Sequence, residues 1–135
     1  MKRSEAREQA FRLLYSLQLI EDKDIEEQLN LFLEENNIVD KNAIEYIKDV
    51  ITGTNKSNSE IEKIISENIK SDWDISRISK IDLALLKLGV YEIVYSKLPY
   101  KVVINEVVEL AKKYGDDKSK AFVNGALAGV VKKGI

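Results

Sequence analysis

The spacing of apolar residues predicts a succession of amphipathic helices along most of the chain. The first runs from about Ser4 to Leu19, and its apolar stripe consists of Ala6, Ala10, Leu13, Leu14 and Leu17. The acidic segment EDKD ends this helix, and Asp24 with Glu27 forms a capping box that begins the second. A third helix is predicted to begin after Asp40.

The middle of the chain indicates a division followed by a buried centre. Glycine, asparagine and serine are frequent from Gly53 to Ser59, where a capping box of Ser57 and Glu60 is predicted to begin a fourth helix. This stretch could divide an N-terminal subdomain, 1–56, from a C-terminal subdomain, 57–135, with one core shared between them. The later segment IDLALLKLGVYEIVY is apolar on nearly every side, which is typical of a helix at the centre of a bundle.

The rest of the pattern is also helical. A tight bend or a short helical turn is predicted around Trp73, and two helices follow Pro99. Gly115 is expected to end the first of them in the left-handed cap conformation, and Asp116 and Asp117 to place negative charge at the positive end of the second. Sustained alternation of apolar and polar residues is absent from the sequence. We therefore predict an all-α fold, a single compact domain of about seven helices over residues 1–135.

The amino-acid composition excludes several kinds of functional site. The chain has neither cysteine nor histidine, which excludes disulfides and thiolate zinc sites and removes the commonest general base. The glycines show no phosphate-binding spacing, so we predict no enzyme, no cofactor and no metal. No apolar run approaches the roughly 20 residues that span a bilayer, and the N-terminus lacks the apolar stretch of a signal peptide. A cytoplasmic location without a membrane partner is expected.

Basic residues on the first predicted helix form a candidate site for nucleic acid. The net charge of −2 argues against a protein that coats nucleic acid by bulk electrostatics, so any such binding needs a local basic face. Arg3, Arg7, Phe11 and Tyr15 recur every fourth residue and could offer guanidinium groups to phosphates and rings to unpaired bases. The plainer interpretation, which the residues alone favour, is a solvated face with a Glu8–Arg12 ion pair and aromatic side chains in the core.

A second candidate lies in the last helix. Ala121, Gly125 and Gly129 recur at four-residue intervals and could let another helix approach closely. Phe122 lies beside this line, where periodicity favours a core position over an exposed stacking platform.

Three segments, REQAFRLLYSLQ, SKIDLALLKLGVYEIVY and PYKVVINEVVELAKKYG followed by KAFVNGAL, resemble the NusB family of bacterial transcription antitermination factors. The resemblance implies two small helical bundles packed together. It further implies binding to single-stranded boxA RNA of nascent ribosomal RNA transcripts together with a small-subunit ribosomal protein. Other Nus factors and RNA polymerase would complete the assembly.

Carried over position by position, the resemblance implies RNA-binding roles for Lys2, Arg3, Arg7, Tyr15, Asp82 and Phe122. In this reading the cations contact phosphates, Tyr15 and Phe122 stack on unpaired bases, and Asp82 lies near the RNA and the protein partner. Ser4 and Glu5 dilute the arginine run that often opens the family's sequences. We therefore expect weak binding to RNA alone and a need for the ribosomal protein.

Two alternatives remain open at this stage. One is a helical interaction module that self-associates, for example as a homodimer, through the face of Ala121, Gly125 and Gly129, without specific RNA binding. The other is a stand-alone relative of the RNA-binding module of ribosomal RNA cytosine methyltransferases.

Overall fold

The computed structural model describes residues 1–70 and 74–133, and over these ranges the chain forms seven α-helices and no strand. The helices are α1 (Arg3–Leu17), α2 (Ile25–Glu35), α3 (Lys41–Lys56), α4 (Asn58–Ser66), α5 (Lys80–Val90), α6 (Tyr100–Tyr114) and α7 (Ser119–Lys132). A 3-10 turn (Ile75–Arg77) precedes α5, and a π-helical turn (Tyr91–Tyr95) follows it. The all-α prediction is confirmed. The bend predicted around Trp73 lies outside the described residues.

Local side-chain caps begin the helices where the sequence predicts them. The Asp24 carboxylate accepts a hydrogen bond from the Glu27 amide at 3.1 Å. The Asp40 carboxylate accepts from the amides of Asn42 and Ala43 at 2.9 and 3.2 Å. Each bond satisfies a backbone donor that has no partner within its own helix, which explains why α2 and α3 begin at these points.

Helix α4 begins directly after Ser57, as predicted, but the predicted capping bond of the Ser57 side chain is wrong. Helix α3 continues through Lys56, and Ser57 is the single residue between α3 and α4. The Ser57 amide still donates to the Gly53 carbonyl at 3.0 Å, and its side chain makes no capping bond. Gly53 lies within α3, and a Cβ at this position would overlap the ring of Tyr91. The glycine therefore permits close packing of the π-helical turn on α3 and does not interrupt the helix.

Helix α5 is the centre of the molecule. Every residue from 83 to 93 is buried, and α5 packs against α1, α4, α6 and α7. All seven helices contribute buried apolar side chains to one cluster, which includes residues from both 1–56 and 57–133. The prediction of a buried central helix is confirmed. Side chains of α1 and α6 bond to each other directly, as Arg7 does to Glu106 and Lys113 does to Glu8, so the exposed faces of these helices lie on neighbouring parts of the surface.

Candidate nucleic-acid interface

The predicted basic residues divide between the surface and the interior. Lys2 and Arg3 are exposed at the start of α1. The Arg3 guanidinium lies over the Tyr46 ring, 4.3 Å from its centroid, which is a cation–π contact. Both cations remain accessible to a phosphate group.

Arg7, one turn further along α1, is buried and only 3% exposed. Its Nε and Nη2 donate to the two carboxylate oxygens of Glu92 at 2.6 and 3.1 Å, and its Nη1 donates to Glu106 at 2.9 Å. Glu92 is itself 0% exposed, and a buried carboxylate requires a counter-charge. Arg7 therefore differs from the surface position expected of it: it joins α1 to the π-helical turn and to α6. The signal for this pairing in the sequence was Glu92, an acidic residue with apolar neighbours in the segment GVYEIVY.

The C-terminal half of α1 borders a cavity of about 340 Å³ that the sequence did not predict. Its lining comes from four helices: Phe11, Arg12, Tyr15, Ser16, Phe32, Ile81 and Tyr114. We call it the aromatic cavity. Phe11 is buried, with its ring centroid 5.0 Å from that of Tyr114, whereas Tyr15 is only partly buried. The core position favoured by the plainer interpretation therefore holds for Phe11, and Tyr15 keeps a face towards the cavity.

Arg12 supplies a positive charge at this cavity. Its guanidinium carbon lies 5.9 Å from the Phe32 ring centroid, and its Nη1 donates to Gln9 at 2.9 Å. The predicted Glu8–Arg12 ion pair is wrong, because Glu8 instead accepts bonds from Lys113 at 2.7 Å and from the Tyr114 hydroxyl. Burial alone would raise the pKa of Glu8, but these two bonds outweigh it and hold that pKa below its ordinary value. Arg12 is exposed, and among the described residues no ion pair joins its guanidinium to a carboxylate.

Asp82 lies in the first turn of α5, directly after Ile81 of the aromatic cavity. Its amide donates to the Ser79 hydroxyl at 3.1 Å. The side chain is partly buried, and its Oδ1 is buried without a donor. Burial raises the pKa of the Asp82 carboxyl and the neighbouring Asp116 charge raises it further, against the opposing effect of the Ser119 hydroxyl. Folding therefore holds a poorly solvated acid at this surface.

Gly115 and Asp116 form the turn that leads into α7, the helix that carries Phe122. Gly115 has φ −89° and ψ −174°, so its expected left-handed conformation is wrong and its backbone is extended. Glycine is needed for space, because a Cβ would overlap the Ser119 side chain and lie 2.9 Å from the Ala111 carbonyl oxygen. Helix α7 begins at Ser119, so Asp116 and Asp117 precede it and do not form its first turn as predicted. Asp116 still accepts bonds from the amides of Lys118 and Ser119 at 2.8 and 3.1 Å, at the N-terminal end of α7.

These contacts connect three of the predicted residues. Tyr15 shares the aromatic cavity with Ile81, Asp82 follows Ile81 and interacts with Ser119, and the partly buried Phe122 is one helical turn beyond Ser119. Lys2 and Arg3 lie at the other end of α1, about 18 Å from Tyr15 at 1.5 Å per residue. The predicted residues therefore form an extended strip and not a compact pocket.

The small-residue line on α7 is only partly open. A Cβ on Gly125 would meet no atom within 4 Å, whereas one on Gly129 would lie 2.6 Å from the Asn68 side-chain oxygen. Asn68, in the turn that follows α4, therefore already covers the Gly129 end of this face. In the part of the chain that the structure describes, no group of three or more acidic residues could hold a metal ion. The described helices are too short or too polar for any of them to cross a bilayer.

Comparison with known proteins agrees with this architecture. The model of the NusB family matches residues 4–132. A relative from Ruminiclostridium cellulolyticum, named transcription antitermination protein NusB, is 45% identical over 133 residues, covering 98% of this chain and 90% of the relative. The structure of T. maritima NusB superposes with a TM-score of 0.90 at 34% identity, covering 98% of this chain and 92% of that one.

A second solved structure contains the antitermination factors NusB and NusE in complex with double-stranded RNA. It matches with a TM-score of 0.88 at 33% identity, over 97% of this chain and 96% of that one. The resemblance carried by the three sequence segments is confirmed, and so is the prediction that the chain is not an enzyme, because antitermination factors are not catalysts. A match of this extent in both sequence and fold establishes that the chain belongs to the NusB family.

Proposed function

We propose that this protein is a cytoplasmic transcription antitermination factor that binds boxA RNA of nascent ribosomal RNA transcripts together with a small-subunit ribosomal protein. The observation that carries the proposal is the likeness, over 97% of the chain, to NusB in a complex with NusE and RNA. The bound assembly would join other Nus factors on RNA polymerase and oppose premature termination.

The proposed mechanism is recognition without catalysis along the strip that contains Lys2, Arg3, Tyr15, Asp82 and Phe122. Lys2 and Arg3 contact backbone phosphates, which positions the RNA. Tyr15 and Phe122 stack on unpaired bases, a contact worth about 1–3 kcal/mol per base. Arg12 adds a guanidinium group beside the aromatic cavity, where it can meet a phosphate or the face of a base.

Arg7 has a different role in this proposal. Its guanidinium donates to Glu92 and Glu106, so it holds α1 in place beneath the strip and leaves phosphate contact to its exposed neighbours. Asp82 is assigned to the meeting point of RNA and ribosomal protein. A partly buried carboxylate with a raised pKa is a poor choice for stability alone, which supports a binding role.

Few phosphate contacts imply weak binding to RNA alone. With Arg7 buried, the start of α1 presents only Lys2 and Arg3, so the salt dependence should be shallow. The test is a titration of boxA RNA and a scrambled RNA of equal length, each with and without the ribosomal protein. Specific binding that tightens when the ribosomal protein is added supports the proposal. Equal affinity for the two RNAs, or equal boxA affinity with and without the partner, contradicts it.

Self-association through the small-residue face finds less support as an alternative. Asn68 covers the Gly129 end of that face, so only the part near Gly125 is open to another helix.

A further inference from the structure

A groove lies at the opposite end of α6 from the aromatic cavity. It has a volume of about 350 Å³ and lies where the π-helical turn, the start of α6 and the end of α7 meet. Its lining includes Val94, Lys97, Leu98, Pro99, Tyr100 and Val131. We call it the α6 N-terminal groove. The proposed RNA surface does not use these residues.

Exposed apolar side chains are concentrated at this groove. Leu98, Tyr100 and Val102 are 37%, 44% and 51% exposed, and they lie within five consecutive residues. Scattered exposed apolar residues are ordinary, but a contiguous group beside a concave surface marks an interaction site.

The charge around the groove is positive. Lys97, Lys101 and Lys132 are all exposed, and within residues 1–70 and 74–133 no carboxylate forms an ion pair with them. None of the described side chains that line the groove is acidic. Glu92, on the adjoining turn, points inward and is paired with Arg7. An occupant of this groove would therefore meet an apolar floor with Lys97 in its lining, and the exposed Lys101 and Lys132 directly follow the lining residues Tyr100 and Val131 in the sequence.

The backbone at Lys97 is a further sign that this side chain is used. Lys97 has φ 54°, in the left-handed region that residues other than glycine, asparagine and aspartate rarely adopt. Such a conformation carries an energetic cost that glycine would avoid, and it places a lysine on the groove.

We propose that the α6 N-terminal groove docks an acidic segment of a protein partner that inserts apolar side chains between Leu98, Tyr100 and Val131. An amphipathic helix laid into a groove is a common form of such recognition. The lining favours protein over RNA because it is mainly aliphatic and lacks arginine, whereas RNA sites use aromatic platforms and guanidinium planes. The acidic side chains of the segment would pair with Lys97, Lys101 and Lys132.

The position of the groove allows two partners at once. Helix α6 has 15 residues and is therefore about 20 Å long, with Tyr100 of the groove at its start and Tyr114 of the aromatic cavity at its end. A ligand at one end does not block the other. The protein would then connect a ligand bound at the strip of Tyr15, Asp82 and Phe122 to an acidic protein partner in the groove. This inference does not depend on the proposed function.

Chemical-shift mapping of the isotopically labelled full chain tests the proposal. The probes are a synthetic amphipathic peptide with leucines on one face and glutamates on the other, the same peptide with lysines replacing the glutamates, and a single-stranded oligouridine RNA. The acidic peptide should shift the amide resonances of Lys97, Leu98, Tyr100 and Val131, and the basic peptide should leave them unchanged. The proposal is overturned if both peptides shift them equally, if neither does, or if the RNA is the probe that does.

A matched pair of variants localises the binding. Leu98→Glu should weaken binding of the acidic peptide by about tenfold or more, because it places a repelling charge in the apolar contact. Val39→Glu makes the same change at a residue that is 85% exposed between α2 and α3, and should leave the affinity unchanged. Lys97→Glu, at an exposed position, should also weaken binding, and it provides a second reading if Leu98→Glu fails to fold. Equal affinities for Lys97→Glu and the wild type would contradict the proposal.

Discussion

Arg3 and Arg7 stand one turn apart on α1, yet they meet different surroundings. Removing Arg7 leaves the Glu92 carboxylate buried without a counter-charge, so Arg7→Met should lower the free energy of unfolding by about 3–5 kcal/mol. Arg3→Met removes only an exposed cation–π contact and should cost less than about 1 kcal/mol. Urea denaturation of both variants measures the difference. Similar losses of stability would show that the buried ion pair does not hold α1 in place.

Asp82 should make stability depend on pH in the opposite sense to most carboxylates. Its pKa is raised in the folded state, by burial first and then by Asp116, so folding opposes ionisation. This penalty is absent below the ordinary pKa of an aspartate and is fully present once the pH exceeds the raised folded value. Asp82→Asn should therefore raise the urea midpoint at pH 7 and change it little near pH 3.

The control for this prediction is Asp22→Asn, the same substitution at an exposed loop position. Comparing the two variants isolates the effect of burial, because Asp22 is exposed and Asp82 is partly buried. A lower midpoint for Asp82→Asn at pH 7 would show that this carboxylate stabilises the fold.

At the scale of single elements, two glycines near α7 should respond in opposite ways to the same change. Gly115→Ala places a methyl group against Ser119 and the Ala111 carbonyl, so it should destabilise the protein by about 1–3 kcal/mol. Gly125→Ala adds a methyl group in open space within a helix, where alanine is favoured by up to about 1 kcal/mol. Thermal unfolding distinguishes them. A stabilising Gly115→Ala would remove the packing explanation for this turn.

Elements that depend on neighbouring residues could be predicted from the sequence, and those that depend on distant contacts could not. The starts of α2 and α3 follow from Asp24 and Asp40, whose side chains bond to amides two or three residues away. Ser57 offers the same local signal, but its side chain makes no capping bond. Helix α3 continues past Gly53 to Lys56, and Gly53 is in close contact with Tyr91, which is distant in sequence. Helical propensity and capping are weak preferences that tertiary packing overrides.

The candidate site depends even more on contacts between residues that are distant in the sequence, and these could not be predicted. Arg7 fits the periodicity of an exposed basic stripe, but its partner Glu92 lies 85 residues away in sequence. The aromatic cavity draws Phe32, Ile81 and Tyr114 from three helices beyond α1, and no spacing along the chain relates them. The RNA-binding roles of Tyr15 and Phe122 came from the family resemblance, because the residues alone favoured a core position for both.

For the whole molecule, α6 relates two surfaces of different character. One end lies at the aromatic cavity with Arg12 nearby, and the other lies at an aliphatic groove beside unpaired lysines. The net charge of −2 does not reveal that both surfaces are basic, because the cations are local and the acidic residues lie elsewhere, notably on α2. Such a molecule is suited to joining components by separate faces.

The most direct test of the RNA-binding strip is the affinity of Tyr15→Ala for boxA RNA, measured at low ionic strength where the protein alone binds best. Tyr100→Ala is the matched control, since Tyr100 is an exposed tyrosine at the far end of α6. With folding verified by circular dichroism, Tyr15→Ala should bind about 5- to 100-fold more weakly than the wild type, and Tyr100→Ala should bind equally well. A folded Tyr15→Ala protein with wild-type affinity would contradict the account.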